Sequence, residues 1–273
     1  MEKLQTILAE LKNGQPKPVI LDTDTYNEVD DQFALSYLLL NPERVNLLSV
    51  NAAPFFGLMN KMSTSPEDGM EKSYAELTKI MALCGREVPK YKGSRTFMME
   101  GPVDSPAAQN IIRTVRESGE RVYVVAIGAI TNVASALLMA PDIASNMAVV
   151  WLGGNGYLTM NGVEFNMWQD PAATRALFAS EAPIVQLPCR DVVTHLTTTL
   201  PELERWIDGR NPLCTYLTDI VRREMPDPMC ASRVIWDVSA AAARWPWLPA
   251  PGPTNMQDHP GTRYKPEETP AIP

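Results

Sequence analysis

Residues 18–40 read Pro18-Val-Ile-Leu-Asp22-Thr-Asp24-Thr-Tyr-Asn-Glu28-Val-Asp30-Asp31-Gln-Phe-Ala-Leu-Ser-Tyr-Leu-Leu-Leu40. Val19, Ile20 and Leu21 form a short apolar run of the kind that makes a strand buried on both faces. The run ends on Asp22 and Asp24. After a polar turn, Asp30 and Asp31 open a segment with Phe33, Ala34, Tyr37 and Leu38 at helical spacing. The carboxylates of Asp22, Asp24, Glu28, Asp30 and Asp31 therefore crowd one strand-to-helix turn. Like charges that close repel, and each needs solvation, so the cluster is costly unless solvent or a cation relieves it. A cap at the helix N-terminus accounts for one of Asp30 and Asp31, and at a stretch for both. It leaves Asp22 and Asp24 unexplained. The pattern points to a site for a hard cation with oxygen ligands.

On either side of this turn, short apolar runs alternate with helical patterns. Leu4, Ile7, Leu8 and Leu11 make a helical stripe that Asn13-Gly14 ends. The spacing predicts strands over 45–50, 121–127, 147–152 and 184–187, with helices starting at Ser65-Pro66, Ser105-Pro106 and Thr131-Asn132. Further helices are expected over 171–180, 201–208, 212–224 and from Asp237 to Arg244, while 91–101 reads as loop. Strands alternating with helices of this length predict an α/β fold, a mostly parallel sheet with helices on both faces. Ligands of such sheets bind outside the carboxyl ends of the strands. Asp22, Asp24, Asn51, Ile127-Gly128 and Gly153-Gly154 all fall at predicted strand ends, on one rim. One α/β domain is expected over 1–245. Residues 246–273, rich in proline, are expected to form an extended tail.

The chain of 273 residues can bury one large core. Its net charge of −8 offers no basic stripe for a nucleic-acid polymer, so a small neutral or cationic ligand fits better. Cys84, Cys189, Cys214 and Cys230 are scattered without a C-x-x-C pair, which suggests buried thiols in a reducing compartment. The N-terminus lacks the pattern of a signal peptide, and no apolar run is long enough to cross a membrane. A cytoplasmic protein without membrane contact is the expectation; a homo-oligomer, dimer or tetramer, is left open.

Three separated pieces resemble the inosine–uridine-type nucleoside hydrolases. The acidic turn is similar to that family's Asp-x-Asp…Asp-Asp motif. Ala126-Ile127-Gly128-Ala129-Ile130-Thr131-Asn132-Val133-Ala134 is similar to its Gly-Pro-Leu-Thr-Asn-x-Ala segment. Val150-Trp-Leu-Gly153-Gly154, followed by Glu164-Phe165-Asn166 and Asp170-Pro171, resembles its Met-Gly-Gly…Glu-Phe-Asn…Asp-Pro segment. The resemblance runs from about residue 18 to 240. It implies a Rossmann-like fold and calcium-dependent hydrolysis of the N-glycosidic bond of a nucleoside substrate, with a metal-activated water as nucleophile. By that resemblance Asp24, Asp31, Asp237 and the backbone carbonyl of Ile127 would ligate Ca2+, with Asp24 also acting as base. Asp30, Asp237 and Asn166 would hold ribose hydroxyls, Glu164 and Asn155 (or Asn161) the 5′-hydroxyl, and Trp236 the base side. Asp22 would orient its neighbours from behind.

The chemistry asks for such groups. Breaking C1′–N leaves an oxocarbenium-like sugar, which surrounding carboxylates stabilise. The chain departs from the family pattern on the base side. Thr25–Val29 is two residues longer than the family's turn and lacks its Pro-Gly. Phe55-Phe56 stands where the family has Gly-Asn, and Trp236 where many members have a histidine. Of the two histidines, His195 reads as a structural or rim residue rather than a leaving-group acid, and no role is read for His259. Without the family, Asp237 reads equally as a helix cap, and Glu164 and Asn166 as loop polars. Phe55 and Phe56 read as core. Two other classes compete. Asp22-Thr-Asp24-Thr also resembles the nucleophile loop of haloacid-dehalogenase-type phosphatases, although no lysine lies between Lys92 and Lys265. A non-catalytic, metal-dependent nucleoside- or ribose-binding protein is the other.

Overall fold

The computed structural model describes residues 5–7, 9–10, 15–57, 62–156, 159, 163–225, 227 and 231–243. Its centre is β1 (Lys17–Thr23), buried at every position. Side chains of a strand alternate between faces. Val19 and Leu21 accordingly enter one hydrophobic cluster and Ile20 the other. The remaining strands of the main sheet are β2 (Val45–Ala52), β3 (Lys90–Lys92), β4 (Val122–Ala126), β5 (Met147–Leu152) and β6 (Ile184–Leu187). They lie in the order β3-β2-β1-β4-β5-β6, and each pairing is parallel. Strand order reverses between β1 and β4, so the crevice for a ligand is expected above their carboxyl ends.

Helices cover both faces. α1 (Asp31–Leu40) and α2 (Pro66–Cys84) pack on one cluster, α3 (Pro106–Glu117) and α4 (Thr131–Met139) on the other. The helix starts follow the sequence. Ser65 accepts a hydrogen bond from the Asp68 amide, and Ser105 from the Ala108 amide. Each stands before a proline, whose missing N–H costs nothing in the first turn. Gly85 ends α2 at φ 62°, a left-handed conformation that glycine takes without a Cβ penalty. Further α-helices are α5 (Phe165–Gln169), α6 (Pro171–Ala179), α7 (Leu200–Trp206), α8 (Pro212–Glu224) and α9 (Trp236–Ala241), and described residues 5–7 and 9–10 are also helical.

Four elements have no counterpart in the sequence expectation. β3 falls where a loop is expected, because a three-residue edge strand flanked by lysines carries no apolar run. α5 is little more than one turn. β7 (Thr197–Thr199) and β8 (Ser232–Val234) form a separate antiparallel pair joined across a long stretch of chain. Of the cysteines, Cys189 is buried whereas Cys84 and Cys214 are half-buried, and all three are free thiols. No helix among the described residues is long and apolar enough to cross a membrane. The expected tail over 246–273, His259, Asn161 and Cys230 lie outside the described residues.

Candidate active site

The acidic turn stands at the carboxyl end of β1, and its carboxylates are buried. Asp22, Asp24, Asp30 and Asp31 are each at most 2% exposed. Asp30 occupies the N-cap position of α1 but makes no side-chain cap bond, so capping does not explain it. Its Oδ2 accepts instead from the Asp237 amide at 3.3 Å. Asp237 stands in the first turn of α9, after Ile235 at the cap position, so its competing reading as a cap also fails. Carboxylate oxygens of Asp30, Asp31 and Asp237 all lie within 4.8 Å of one another. The tightest triad thus contains Asp30, whereas the expected ligand set named Asp24 beside Asp31 and Asp237.

Asp24 sits against the end of β4. A Cβ built on Gly128 would lie 2.8 Å from Asp24 Oδ1, so only glycine lets the carboxylate pack there. Thr23 donates its hydroxyl to Asp31 Oδ1 at 2.5 Å. Asp22 points away from the cavity into a polar layer, where Asn132 Nδ2 donates to its Oδ2 at 3.0 Å. Asp22 Oδ1, Asp24 Oδ2 and Asp30 Oδ1 are buried without a hydrogen-bond partner. Such groups are costly to bury and ask for a ligand or ion.

The electrostatics follow. Burial raises the carboxyls of Asp22, Asp24, Asp30, Asp31 and Asp237. Asp24 is pushed well above the usual carboxylate range by burial, then by the charge of Asp31. Asp237 is raised likewise by burial, then by Asp30 and Asp31. Asp30 rises to about 8 through burial and the charge of Glu28. Asp31 reaches about 6, burial being offset by its bonds to Thr23 and Asp237. Asp22 reaches about 7, burial being offset by Asn132 and Asn51.

Above the cluster lies a cavity of about 260 Å³. Every expected site residue lines it except Asp22: Asp24, Asp30, Asp31, Ile127, Asn155, Glu164, Asn166, Trp236 and Asp237. Asn166 Nδ2 donates to the carbonyls of Ile127 at 3.3 Å and Leu152 at 3.0 Å, tying α5 to the ends of β4 and β5. Glu164 caps α5 and accepts from the Gly154, Asn166 and Met167 amides at 2.8, 2.9 and 3.0 Å. The Cys189 thiol also bonds to it. Burial raises Glu164, against the pull of those amides. Asn155 is held at the mouth, donating to the Val163 carbonyl at 3.1 Å and accepting from the Arg190 amide at 3.2 Å. His195 is exposed in a short 3₁₀ turn and does not line the cavity. Phe55 is fully buried and Phe56 half-buried, both away from the cavity.

Thr23, Cys189 and Arg233 join this assembly without having been expected there, while Gly128 stood on the expected rim without its role of making room for Asp24. Arg233, on β8, makes an ion pair with Glu28 of the acidic turn. Gly128 was visible as a glycine at a strand end; the others carried no local signal.

Comparison with known proteins identifies the family and the fold. The family model described as inosine-uridine preferring nucleoside hydrolase matches residues 19–246. The pyrimidine-specific ribonucleoside hydrolase RihA of Salmonella paratyphi B is 26% identical over 232 residues, 75% of this chain and 70% of that one. RihA of Escherichia coli O7:K1 is 27% identical over 232 residues, with 75% and 70% covered. The solved structure of a purine-preferring ribonucleoside hydrolase from Gardnerella vaginalis superposes with TM-score 0.65 at 27% identity, over 83% of this chain and 79% of that one. A plant nucleoside hydrolase, at TM-score 0.66 and 20% identity over 84% and 78%, shares the fold. The likeness of Asp22-Thr-Asp24-Thr to phosphatase loops is therefore local. The chain belongs to the inosine–uridine preferring nucleoside hydrolase family, a family of N-glycosidases.

Proposed function

We propose that this chain hydrolyses the N-glycosidic bond of a ribonucleoside to ribose and free base, with a calcium ion in the carboxylate cluster. The observation that carries the reading is the buried triad of Asp30, Asp31 and Asp237, with unpartnered oxygens on Asp24 and Asp30. The donor set fits the ion in kind: three carboxylates and a backbone carbonyl are hard oxygen ligands of the type calcium takes. Asp24, Asp31, Asp237 and the Ile127 carbonyl would hold it. Calcium, when bound, would hold the sugar diol and ease deprotonation of water near neutrality.

The chain's own residues supply the rest. Asp24 accepts the proton of the attacking water, a role general-base geometry allows a carboxylate of low intrinsic basicity. The Asp237 amide fixes one oxygen of Asp30, which leaves Oδ1 to accept from a sugar hydroxyl. Asn166, anchored through Nδ2, presents its amide oxygen to the neighbouring hydroxyl. Glu164 and Asn155 receive the 5′ end, with Glu164 held rigid by the amides it caps. Asp22 keeps β1 and its neighbours in register from behind. The clustered carboxylates favour the cationic sugar as the bond breaks. Trp236 lines the cavity beside Asp237 and offers its indole to the departing base.

The test is incubation with calcium and a panel of nucleosides, read by reducing-sugar release, beside a panel of phosphate esters. Sugar release by the wild type and a loss of roughly 10²–10⁴-fold in kcat for Asp24→Asn are expected. Near wild-type kcat in that variant would remove Asp24 as the base. Phosphate release would favour a phosphatase, and nucleoside binding without turnover a binding protein.

A further inference from the structure

We propose that Glu28, pinned by Arg233, reads the nucleobase by accepting a ring or exocyclic N–H; this rests on the nucleoside-hydrolase reading above. The 2′- and 3′-hydroxyls of a ribonucleoside project from one face of the ring, and C4′ and C1′ lie at its opposite ends. With the diol on the carboxylates and the 5′ end at Glu164, the C1′ end faces the remaining wall. Of the acidic turn and the start of α9, Asn27, Glu28 and Trp236 line the cavity without a part in holding the metal or the sugar. Among the carboxylates of the acidic turn that line the cavity, Glu28 alone has neither a metal-ligand nor a sugar-holding role.

Its setting is that of a fixed acceptor. Glu28 lines the substrate cavity and also a second cavity of about 220 Å³ behind it, so it forms the partition between the two. One carboxylate oxygen, Oε2, is paired with Arg233 Nη2. The other has no partner among the described residues, and the Glu28 side chain is 40% exposed. Arg233 is held in turn by the β7–β8 pairing, opposite Thr198, and β8 leads directly into Trp236 and Asp237. Its Nε is buried without a hydrogen-bond partner, a cost that the ion pair with Glu28 offsets. The guanidinium balances the carboxylate's charge, so the ion pair is neutral overall beside an otherwise acidic cavity. A neutral Glu–Arg wall can bind an N–H edge without placing a bare anion next to a departing base. Arg233 acts through Glu28 and is a positioning residue. The substrate class is therefore nucleosides whose base offers an N–H donor on the edge away from the sugar.

The experiment compares nucleosides that differ by one N–H: uridine with 3-methyluridine, and inosine with 1-methylinosine. Wild type is expected to prefer the N–H member of whichever pair it hydrolyses by at least about tenfold in kcat/KM, since a site built to hydrogen-bond rejects the analogue that cannot. Glu28→Ala should lower kcat/KM for that member by about tenfold or more, mainly through KM, and narrow the preference to under about threefold. Arg233→Met should narrow it too, and the double variant should be no worse than Glu28→Ala alone, since both act in one interaction. Equal losses for methylated and unmethylated substrates, or no loss, would overturn the assignment. If wild type hydrolyses no nucleoside, the hydrolase reading has failed. Calorimetric binding of the same pairs to wild type and Glu28→Ala then decides the Glu28 assignment by the same ratios.

Discussion

At the scale of single residues, the site depends on groups that touch no substrate. Gly128 is the clearest. A methyl group there would stand 2.8 Å from Asp24 Oδ1, well inside contact distance, and β4 is buried and paired on both edges, so the carboxylate would have to give way. Gly128→Ala should therefore weaken calcium binding by roughly 10–100-fold, the usual cost of disturbing a neighbour of a metal ligand. Isothermal titration of the metal-free protein measures it, and an affinity equal to wild type would show that Asp24 does not hold the ion. Thr23 acts similarly from the strand end, its hydroxyl bonded to Asp31 Oδ1 and to Thr25 Oγ1 at 2.9 Å. Thr23→Val keeps the shape and removes both bonds. It should destabilise the calcium-loaded protein by about 1.5–3 kcal/mol, the worth of a hydrogen bond to a charged group. Denaturant titration with calcium present checks this, and a change under about 0.5 kcal/mol would show that Asp31 is positioned without it.

At the scale of elements, what was legible in the sequence is what carries its own punctuation. α2 begins one residue after Ser65 and ends one before Gly85, because the cap, the proline and the left-handed glycine are chemical signals independent of packing. Ser65→Ala should accordingly cost about 1 kcal/mol of stability with little effect on turnover, since α2 packs behind β2 and β3, away from the cavity. A chemical denaturation curve reads the first part and an assay the second; a large loss of turnover would mean that α2 positions the site. β1, β4 and β5 were equally legible, each an apolar run buried on both faces. β3 and the β7–β8 pair were not, for they are short and polar, and pairing partners far apart in sequence leave no local pattern. The same division runs through the site. Asp24 and Ile127 announce themselves at strand ends, Asp30 and Asp31 at a helix start, and Asp237 and the Glu164–Asn166 segment through a motif. The Arg233–Glu28 and Cys189–Glu164 contacts join segments with no shared signature, and only the folded chain brings them together.

At the scale of the whole molecule, the carboxylate cluster couples folding, pH and cation. In the metal-free protein Asp31, Asp22 and Asp30 are raised to about 6, 7 and 8, and Asp24 and Asp237 are raised as well, chiefly by burial. In the unfolded chain these groups titrate near about 4. Between about pH 4 and 8 the folded metal-free protein therefore holds protons that the unfolded chain has lost, so its stability falls as pH rises through that window. Calcium, held as proposed, would reverse the preference, because its ligands must be deprotonated and each proton displaced makes binding tighter at higher pH. Stabilisation by an ion that binds only the folded state grows with that affinity. The Tm of the chelated protein should thus fall from about pH 5.5 to about pH 8, while the rise in Tm on adding calcium should be larger at the upper end. Differential scanning calorimetry at matched ionic strength measures both. A chelated Tm that climbs with pH across the window, or a calcium increment that shrinks with it, would show that the buried carboxylates do not govern stability and that the ion is held elsewhere.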